Sequence, residues 1–499
     1  MTVFNSALTI QKSEKVLSIA CTVAAIYLTL GCVEKLFEGN TKLSDEFELI
    51  PSPPGAHRSS GHAHQLGRNH AHTITNWQQE FGSIIRLKLN SKDYIFLSDT
   101  AAVKDLFEQQ KFSQTKERDT VVSASDDKWE KIRKLYNADP LFGIDDILKN
   151  EADQCINKLI EGTERMKNVV PLCFTRLYAI NVILTSKLGI PGVTTIKDPL
   201  YKEIVKTVVT NLQPFWETQK THSDSHTFCS FLKTAFEKKQ DSKQLYESNA
   251  TTLSGRLISA ARRSQQDNFI RRLDTYKLKV SIAESDIQMF LNRIMTHGVE
   301  NIAVAISWTY AILCCHPEVQ TRVALEIDCF CIKHNRLPNF EDQRELPYYV
   351  AFQKECMRFR PPEYFTEPRQ ASTNFIYKNY IISKGTTIVV NIHAMHNNER
   401  IFPEPERFMP ERFFSNRNKK AAVDQHVFGW GRLKCPSIEM AEKMVFYAVT
   451  RLIAKCIIEP QGLKGTTEYP SLEVNQRGSS AAPAAFQIRI VNRESVLDC

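Results

Sequence analysis

The run Phe428-Gly429-Trp430-Gly431-Arg432-Leu433-Lys434-Cys435-Pro436, closed by a cysteine and followed at once by an apolar helical pattern, constrains this chain more than any other segment. Ile438, Ala441, Val445, Ala448 and Leu452 recur at three- and four-residue spacing, which predicts a helix with one core face. Pro436 suits the first turn of that helix, where no backbone donor is needed. A free thiol titrates near about 8.5, and a helix N-terminus with nearby cations favours its anion. Arg432 and Lys434 supply such cations, so Cys435 reads as an anionic ligand. Gly429 and Gly431 allow a tight turn and a close backbone approach to a large flat partner, against which Phe428 can pack. An isolated cysteine in a glycine turn is usually a plain core residue. An aromatic, two spaced glycines, a cation and a cysteine in this order are far less common.

Helical patterns dominate the rest. Glu284 to Cys315 holds no proline, carries Ile287, Phe290, Leu291 and Ile294 at helical spacing, and stops at His316-Pro317, which predicts a long buried helix. Glu355 and Arg358 lie three apart on a helix that ends before Pro361-Pro362, and Trp129 and Arg133 lie four apart, so each pair shares a helix face. Ser83–Leu89 and Tyr94–Ser98 read as two short strands joined by a turn over residues 90–93, and Thr100 opens a helix reaching about Gln110.

The chain has 499 residues, 42% of them hydrophobic, with no internal repeat or long low-complexity linker, which fits one large enzyme domain. Its 13 cysteines are odd in number and scattered, which favours a reducing compartment over a disulfide framework. Val16 to Val33 is an uncharged apolar run just long enough to span a bilayer. Residues 1–45 therefore read as a membrane anchor with its linker, and 46–499 as the catalytic domain. Pro51-Ser52-Pro53-Pro54-Gly55 is a stiff segment after the linker, and His57, His62, His64, His70 and His72 read as loop histidines. The net charge of +8 comes from dispersed basic residues without a nucleic-acid module, so no nucleic-acid partner is expected.

The cysteine loop resembles the ligand loop of the cytochrome P-450 superfamily, Phe-x-x-Gly-x-x-x-Cys-x-Gly, at Phe428, Gly431 and Cys435. Ser437 replaces the final glycine, and Leu433 stands where a histidine or arginine is usual. Further signatures follow in family order: Glu355-x-x-Arg358, Pro410-Glu411-Arg412-Phe413, Trp129-x-x-x-Arg133 and Glu367-Pro368-Arg369. The oxygen-activation motif Ala-Gly-x-Asp/Glu-Thr maps to His297-Gly298-Val299-Glu300-Asn301, which keeps the acid and loses the threonine. Phe112 to Trp129 is short for this family, so the roof of the pocket looks abbreviated.

The resemblance implies a mainly α fold with small β-sheets, and haem b between the long central helix and the cysteine loop. In it Cys435 is the axial ligand of the haem iron, and Phe428, Gly431 and Arg432 complete the loop. Trp129, Arg133 and Arg369 meet haem propionates, and Glu355, Arg358 and Arg412 form a buried scaffold network. Glu300 supplies protons during oxygen activation, while Asn301 positions water but cannot pass a proton as a hydroxyl does. His297, where a small alanine is usual, is open to three roles: distal acid, a narrowing of the pocket, or packing against neighbouring helices.

The activity implied is oxidation of a lipophilic small molecule by dioxygen, on the cytosolic face of the endoplasmic reticulum membrane. Electrons come from NADPH through a flavin-containing reductase, with cytochrome b5 as a further candidate partner. Arg417, Lys419, Lys420, Arg432, Lys434 and Lys443 would make a positive face for that reductase. The alternatives are a haem-thiolate isomerase or dehydratase needing no reductase, and a haem-binding protein without turnover.

Overall fold

The computed structural model describes residues 48–58, 60–67, 69–90, 92–108, 112–114, 126–137, 143–212, 253–280, 282–371, 374–414, 426–430, 434–463, 466–477 and 480–493. The expected anchor and linker, and most of the expected short roof, lie outside them.

Six helices position the site: α1 (Asp126–Asn137), α2 (Ile144–Met166), α3 (Pro171–Ser186), α4 (Glu284–Cys315), α5 (Pro347–Phe359) and α6 (Ile438–Lys455). The long helix expected from its proline-free apolar pattern is α4, with the same ends. Asp286 starts it by accepting from the Ala283 N–H at 2.9 Å, and the non-helical backbone of His316 before Pro317 stops it. It is the one helix among the described residues long and apolar enough to cross a bilayer, yet most of it is packed inside the fold. Here length and hydropathy mark a core helix.

The core forms where α4 meets α3 and α6. Tyr178, Trp308 and Tyr310 are almost fully buried, and each sends its polar atom to a backbone carbonyl: Met444 at 2.9 Å, Ala481 at 2.7 Å and Ala448 at 3.3 Å. That pairing lets large rings be buried without stranding a donor. Each fully buried aliphatic or aromatic side chain contributes about 1.5–3 kcal/mol of transfer free energy.

A five-stranded sheet, in the order β1-β2-β5-β4-β3, lies in the same unit, formed by β1 (Ile84–Leu89), β2 (Lys92–Leu97), β3 (Phe112–Gln114), β4 (Arg369–Ala371) and β5 (Thr387–Val390). Leu89 pairs with Lys92, so the hairpin closes two residues earlier than the sequence pattern indicates. Asn90 makes this possible by taking a left-handed φ of 56°. The proline segment is fixed to this sheet, since the Arg86 N–H donates to the Pro51 carbonyl at 2.8 Å.

The expected loop histidines divide. His70 and His72 belong to the helix His70–Phe81, where Ala71 and Ile74 supply a buried face. His62 is buried, donating to the Pro53 carbonyl at 2.9 Å and accepting from the Lys88 N–H at 3.0 Å.

A second, small unit holds residues 48–50 and 374–382 among those described. It is an antiparallel hairpin of Phe375–Tyr377 with Tyr380–Ile382, to which Glu48 adds a bond from its N–H to the Asn379 carbonyl at 2.9 Å.

Candidate functional site

Cys435 is set by its backbone before its side chain. Its N–H donates to the Phe428 carbonyl at 2.8 Å, and Gly429 bends the intervening loop with a φ of 73° that other residues rarely adopt. Pro436 and Ser437 form a turn, and the helix proper starts at Ile438, two residues later than the sequence indicates. Ser437 N–H then lies 3.4 Å from the Cys435 sulfur as a donor. Burial pushes the thiol above its ordinary value, and the Ser437 N–H, Arg133 and Arg293 pull it down only in part. Burial is thus the largest influence on the thiol among the described residues, which do not include Arg432. A metal ion overturns that balance, since it deprotonates a coordinating thiol outright.

Cations gather around the loop. Arg133 on α1 donates to the Lys434 carbonyl, next to the cysteine. Arg369, at the start of β4, donates to the Trp430 carbonyl at 3.3 Å and lies over the Phe107 ring at 4.0 Å. Burial pulls the Arg369 guanidinium down to about 9, and Arg293 and Arg133 add to that pull against the opposing charge of Glu367. Such crowding of like charge is relieved by an anion. Trp129 lies on α1 one turn before Arg133, but its side chain, like Gly431 and Arg432, falls outside the described residues.

Two faces of α4 carry the expected acid and its neighbours. Glu300 is buried and pairs with Arg176 of α3 through two bonds, Nε to Oε2 at 2.8 Å and Nη2 to Oε1 at 2.7 Å. Burial pulls the Arg176 guanidinium down, but the hydrogen bonds and charge of Glu300 outweigh it and leave it above its ordinary value. Gly298 serves the same junction, for a Cβ there would stand 3.2 Å from Ile183 of α3. The Asn301 Oδ1 is buried without a hydrogen-bond partner among the described residues.

His297 lies on another face. Its Nδ1 lies 3.3 Å from Glu363 and its Nε2 3.1 Å from Glu367, both in the segment leading from α5 to Arg369. Burial pulls the imidazole down, but these two carboxylates outweigh it and raise it to about 9, so it is protonated at neutral pH. Arg293, one turn earlier on α4, completes the group by pairing with Glu367.

Glu355, Arg358 and Arg412 come together. Arg358 reaches both oxygens of Glu355 at 2.7 Å, and Arg412 Nε reaches Oε1 at 3.2 Å. Oε1 also accepts the Met409 N–H at 3.0 Å, and both arginines donate to the Arg407 carbonyl. Lys443 departs from the expected positive face: it is buried, 3.1 Å from Asp145 and 3.4 Å from Glu439. Lys434 is exposed, and Arg417, Lys419, Lys420 and Arg432 lie outside the described residues.

Arg176, Arg293 and Glu363 were not singled out from sequence. Arg293, His297 and Asn301 recur every fourth residue along one side of α4, and that polar stripe was the signal available.

A family model described as cytochrome P-450 matches residues 51–477. The monooxygenase yanC of Aspergillus niger is 23% identical over 468 residues, covering 83% of each chain. The monooxygenase claT of Ampulloclitocybe clavipes is 24% identical over 466 residues, covering 89% of this chain and 91% of the relative. A zebra fish cytochrome P-450 solved with progesterone shares the fold, with a TM-score of 0.69 at 20% identity over 85% of this chain and 99% of that one.

Proposed function

The chain belongs to the cytochrome P-450 family of haem-dependent monooxygenases, and from that premise we propose that it oxidises a lipophilic small molecule, hydroxylating or epoxidising it with dioxygen and electrons from NADPH. The observation that carries this reading is Cys435, held by the Phe428 carbonyl and the Ser437 N–H amid the charges of Arg133, Arg293 and Arg369. The residues present fit a haem: one sulfur for the iron, a buried guanidinium at Arg369 and a partly exposed one at Arg133, whose crowding two propionates would relieve. Trp129 and Arg432 would belong to the same cradle, Gly431 would allow close approach of the backbone, and Phe428 would pack against the haem. When bound, the haem supplies the iron at which dioxygen is reduced and one oxygen atom is passed to the substrate.

The chain's own residues do the rest. The Ser437 N–H donates to the sulfur and so tempers the electron density it offers. Arg176 engages both oxygens of Glu300, so the proton supply assigned to Glu300 requires release of that pair. Asn301 positions water by hydrogen bonding but has no hydroxyl proton to pass. The buried knot of Glu355, Arg358 and Arg412 keeps the segment before the ligand loop in place. The flavin-containing reductase, with cytochrome b5 as a further candidate, would approach the face carrying Lys419, Lys420 and Lys434, and the Val16–Val33 run would anchor the chain in the endoplasmic reticulum membrane. The chain's place would be in specialised-metabolite biosynthesis or in detoxification, a reading that rests on its likeness to fungal monooxygenases.

The locked Glu300 and the missing hydroxyl at Asn301 favour a second reading: rearrangement or dehydration of an already oxidised substrate, which needs no external electrons. The ferrous protein with carbon monoxide is expected to give the absorption band of an intact thiolate ligand, and Cys435→Ala to lose it; a band that survives this change overturns the ligand assignment. Product that requires NADPH, reductase and dioxygen together supports the monooxygenase. Anaerobic turnover of a hydroperoxide overturns it in favour of the second reading, and haem binding with neither reaction overturns both.

A further inference from the structure

The helix Pro199–Asn211 packs on α4 through buried apolar side chains, Ile204 and Val208 on its own side and Met295 on the other. Two polar pairs interrupt that contact. Thr207 and Asn211 lie four apart on the first helix, Asn292 and Thr296 lie four apart on α4, and the spacing puts each pair on one helix face. Ser254, in the helical stretch 253–263, joins them, and these side chains line one small cavity. With about 3.6 residues per turn, the face of α4 that carries Asn292 and Thr296 lies roughly opposite the one that carries His297 and Asn301. The cavity is therefore a separate place from the surroundings of Cys435.

The polar atoms around it are only partly spent. Asn211 Nδ2 donates to Thr296 Oγ1 at 2.8 Å, Ser254 Oγ donates to Asn292 Oδ1, and Thr207 Oγ1 donates to the Glu203 carbonyl at 3.0 Å. The Thr296 hydroxyl and Asn292 Nδ2 keep donor capacity, and Thr207 Oγ1 can still accept. Asn211 Oδ1 is buried with no hydrogen-bond partner among the described residues. Turning the amide over would only exchange an orphaned acceptor for an orphaned donor. The cavity offers about 10 Å³ to the centre of a water molecule, close to the roughly 10–15 Å³ that a single internal water requires and too little for an organic ligand. An apolar void of this size stays dry, whereas a water needs about two to four polar partners, and the two facing helices supply them.

We propose that this cavity is a binding site for one water molecule, which donates to Asn211 Oδ1 and accepts from Thr296 or Asn292. The water ties the helix Pro199–Asn211 to α4 through a polar joint set within an apolar contact. This site stands apart from the monooxygenase reading, because none of its residues belongs to the surroundings of Cys435.

The test is a crystal structure of the full-length haem-loaded protein at a resolution that shows internal water. One water is expected within hydrogen-bond distance of Asn211 Oδ1 and of Thr296 or Asn292. Asn211→Leu is expected to lose it, and Asn211→Asp, which keeps an acceptor, is expected to retain it. Xenon admitted under pressure is expected to stay out of the wild-type cavity. Xenon bound there marks a dry apolar space and overturns the proposal. A side chain of this chain that donates to Asn211 Oδ1 in place of water overturns it as well, as does a water that persists unchanged in Asn211→Leu. If a variant does not fold, the wild-type water and xenon results decide alone. A missing carbon monoxide band with the water in place defeats the monooxygenase reading and leaves this site standing.

Discussion

Two buried ion clusters in this molecule use similar residues for opposite ends. In the knot of Glu355, Arg358 and Arg412, side-chain exposure is 0%, 1% and 6%, and the arginines spend their remaining donors on backbone carbonyls of His396, Pro403, Glu404 and Arg407. The group of Arg293, His297, Glu363 and Glu367 also sits in a desolvated setting but keeps accessible surface. A cluster whose partners are all internal can only hold the chain together. One whose side chains stay partly exposed holds its partners less tightly.

The largest expected effect falls on the sealed cluster. Glu355→Ala strands two buried guanidiniums and is expected to cost about 3–5 kcal/mol of stability, with loss of haem retention, read by denaturant unfolding and haem content. A change below about 1 kcal/mol would mean that the knot carries no scaffold role.

His297→Ala removes the cation between Glu363 and Glu367 and is expected to cost less, about 1–3 kcal/mol, because Glu367 keeps Arg293 as a partner and both carboxylates are partly exposed. A cost matching that of Glu355→Ala would erase the distinction between the clusters.

The same residue gives a pH signature. The folded imidazole is raised to about 9 against an ordinary value of 6.5, so it binds its proton more tightly folded than unfolded. Its stabilisation is therefore complete below about 6.5 and fades as pH rises through about 9. Unfolding midpoints of wild type and His297→Ala, measured from pH 6 to 10, are expected to converge at the alkaline end, and parallel curves would count against the protonated bridge.

The smallest effect belongs to a surface pair. Arg86 and Asp93, 2.8 Å apart across the β1–β2 hairpin, are 48% and 41% exposed. Asp93→Asn is expected to cost no more than about 1 kcal/mol. A larger loss in thermal unfolding would show that exposure is a poor guide to the worth of charge here.

Much of the fold was legible because the signals are local. Apolar spacing and the stop at His316-Pro317 placed α4 to the residue, and the spacing of Glu355 and Arg358 put both on one helix face. Less was legible where a signal depends on what lies opposite. Lys443 reads as a surface cation from its neighbours in sequence, yet Asp145, almost three hundred residues earlier, draws it inside. The hairpin turn was misjudged for a smaller reason, since only the left-handed backbone at Asn90 allows closure in two residues.

By itself the sequence determined the family, the helical frame and the cysteine loop, because periodicity, prolines and a ligand motif act over a few residues. Tertiary structure alone decided the state of the charged groups: Glu300 is fixed by Arg176, 124 residues away, and His297 by Glu363, 66 residues away. The strength and meaning of a charge depend on its partners and on the water left to it, and neither is written next to it in the chain.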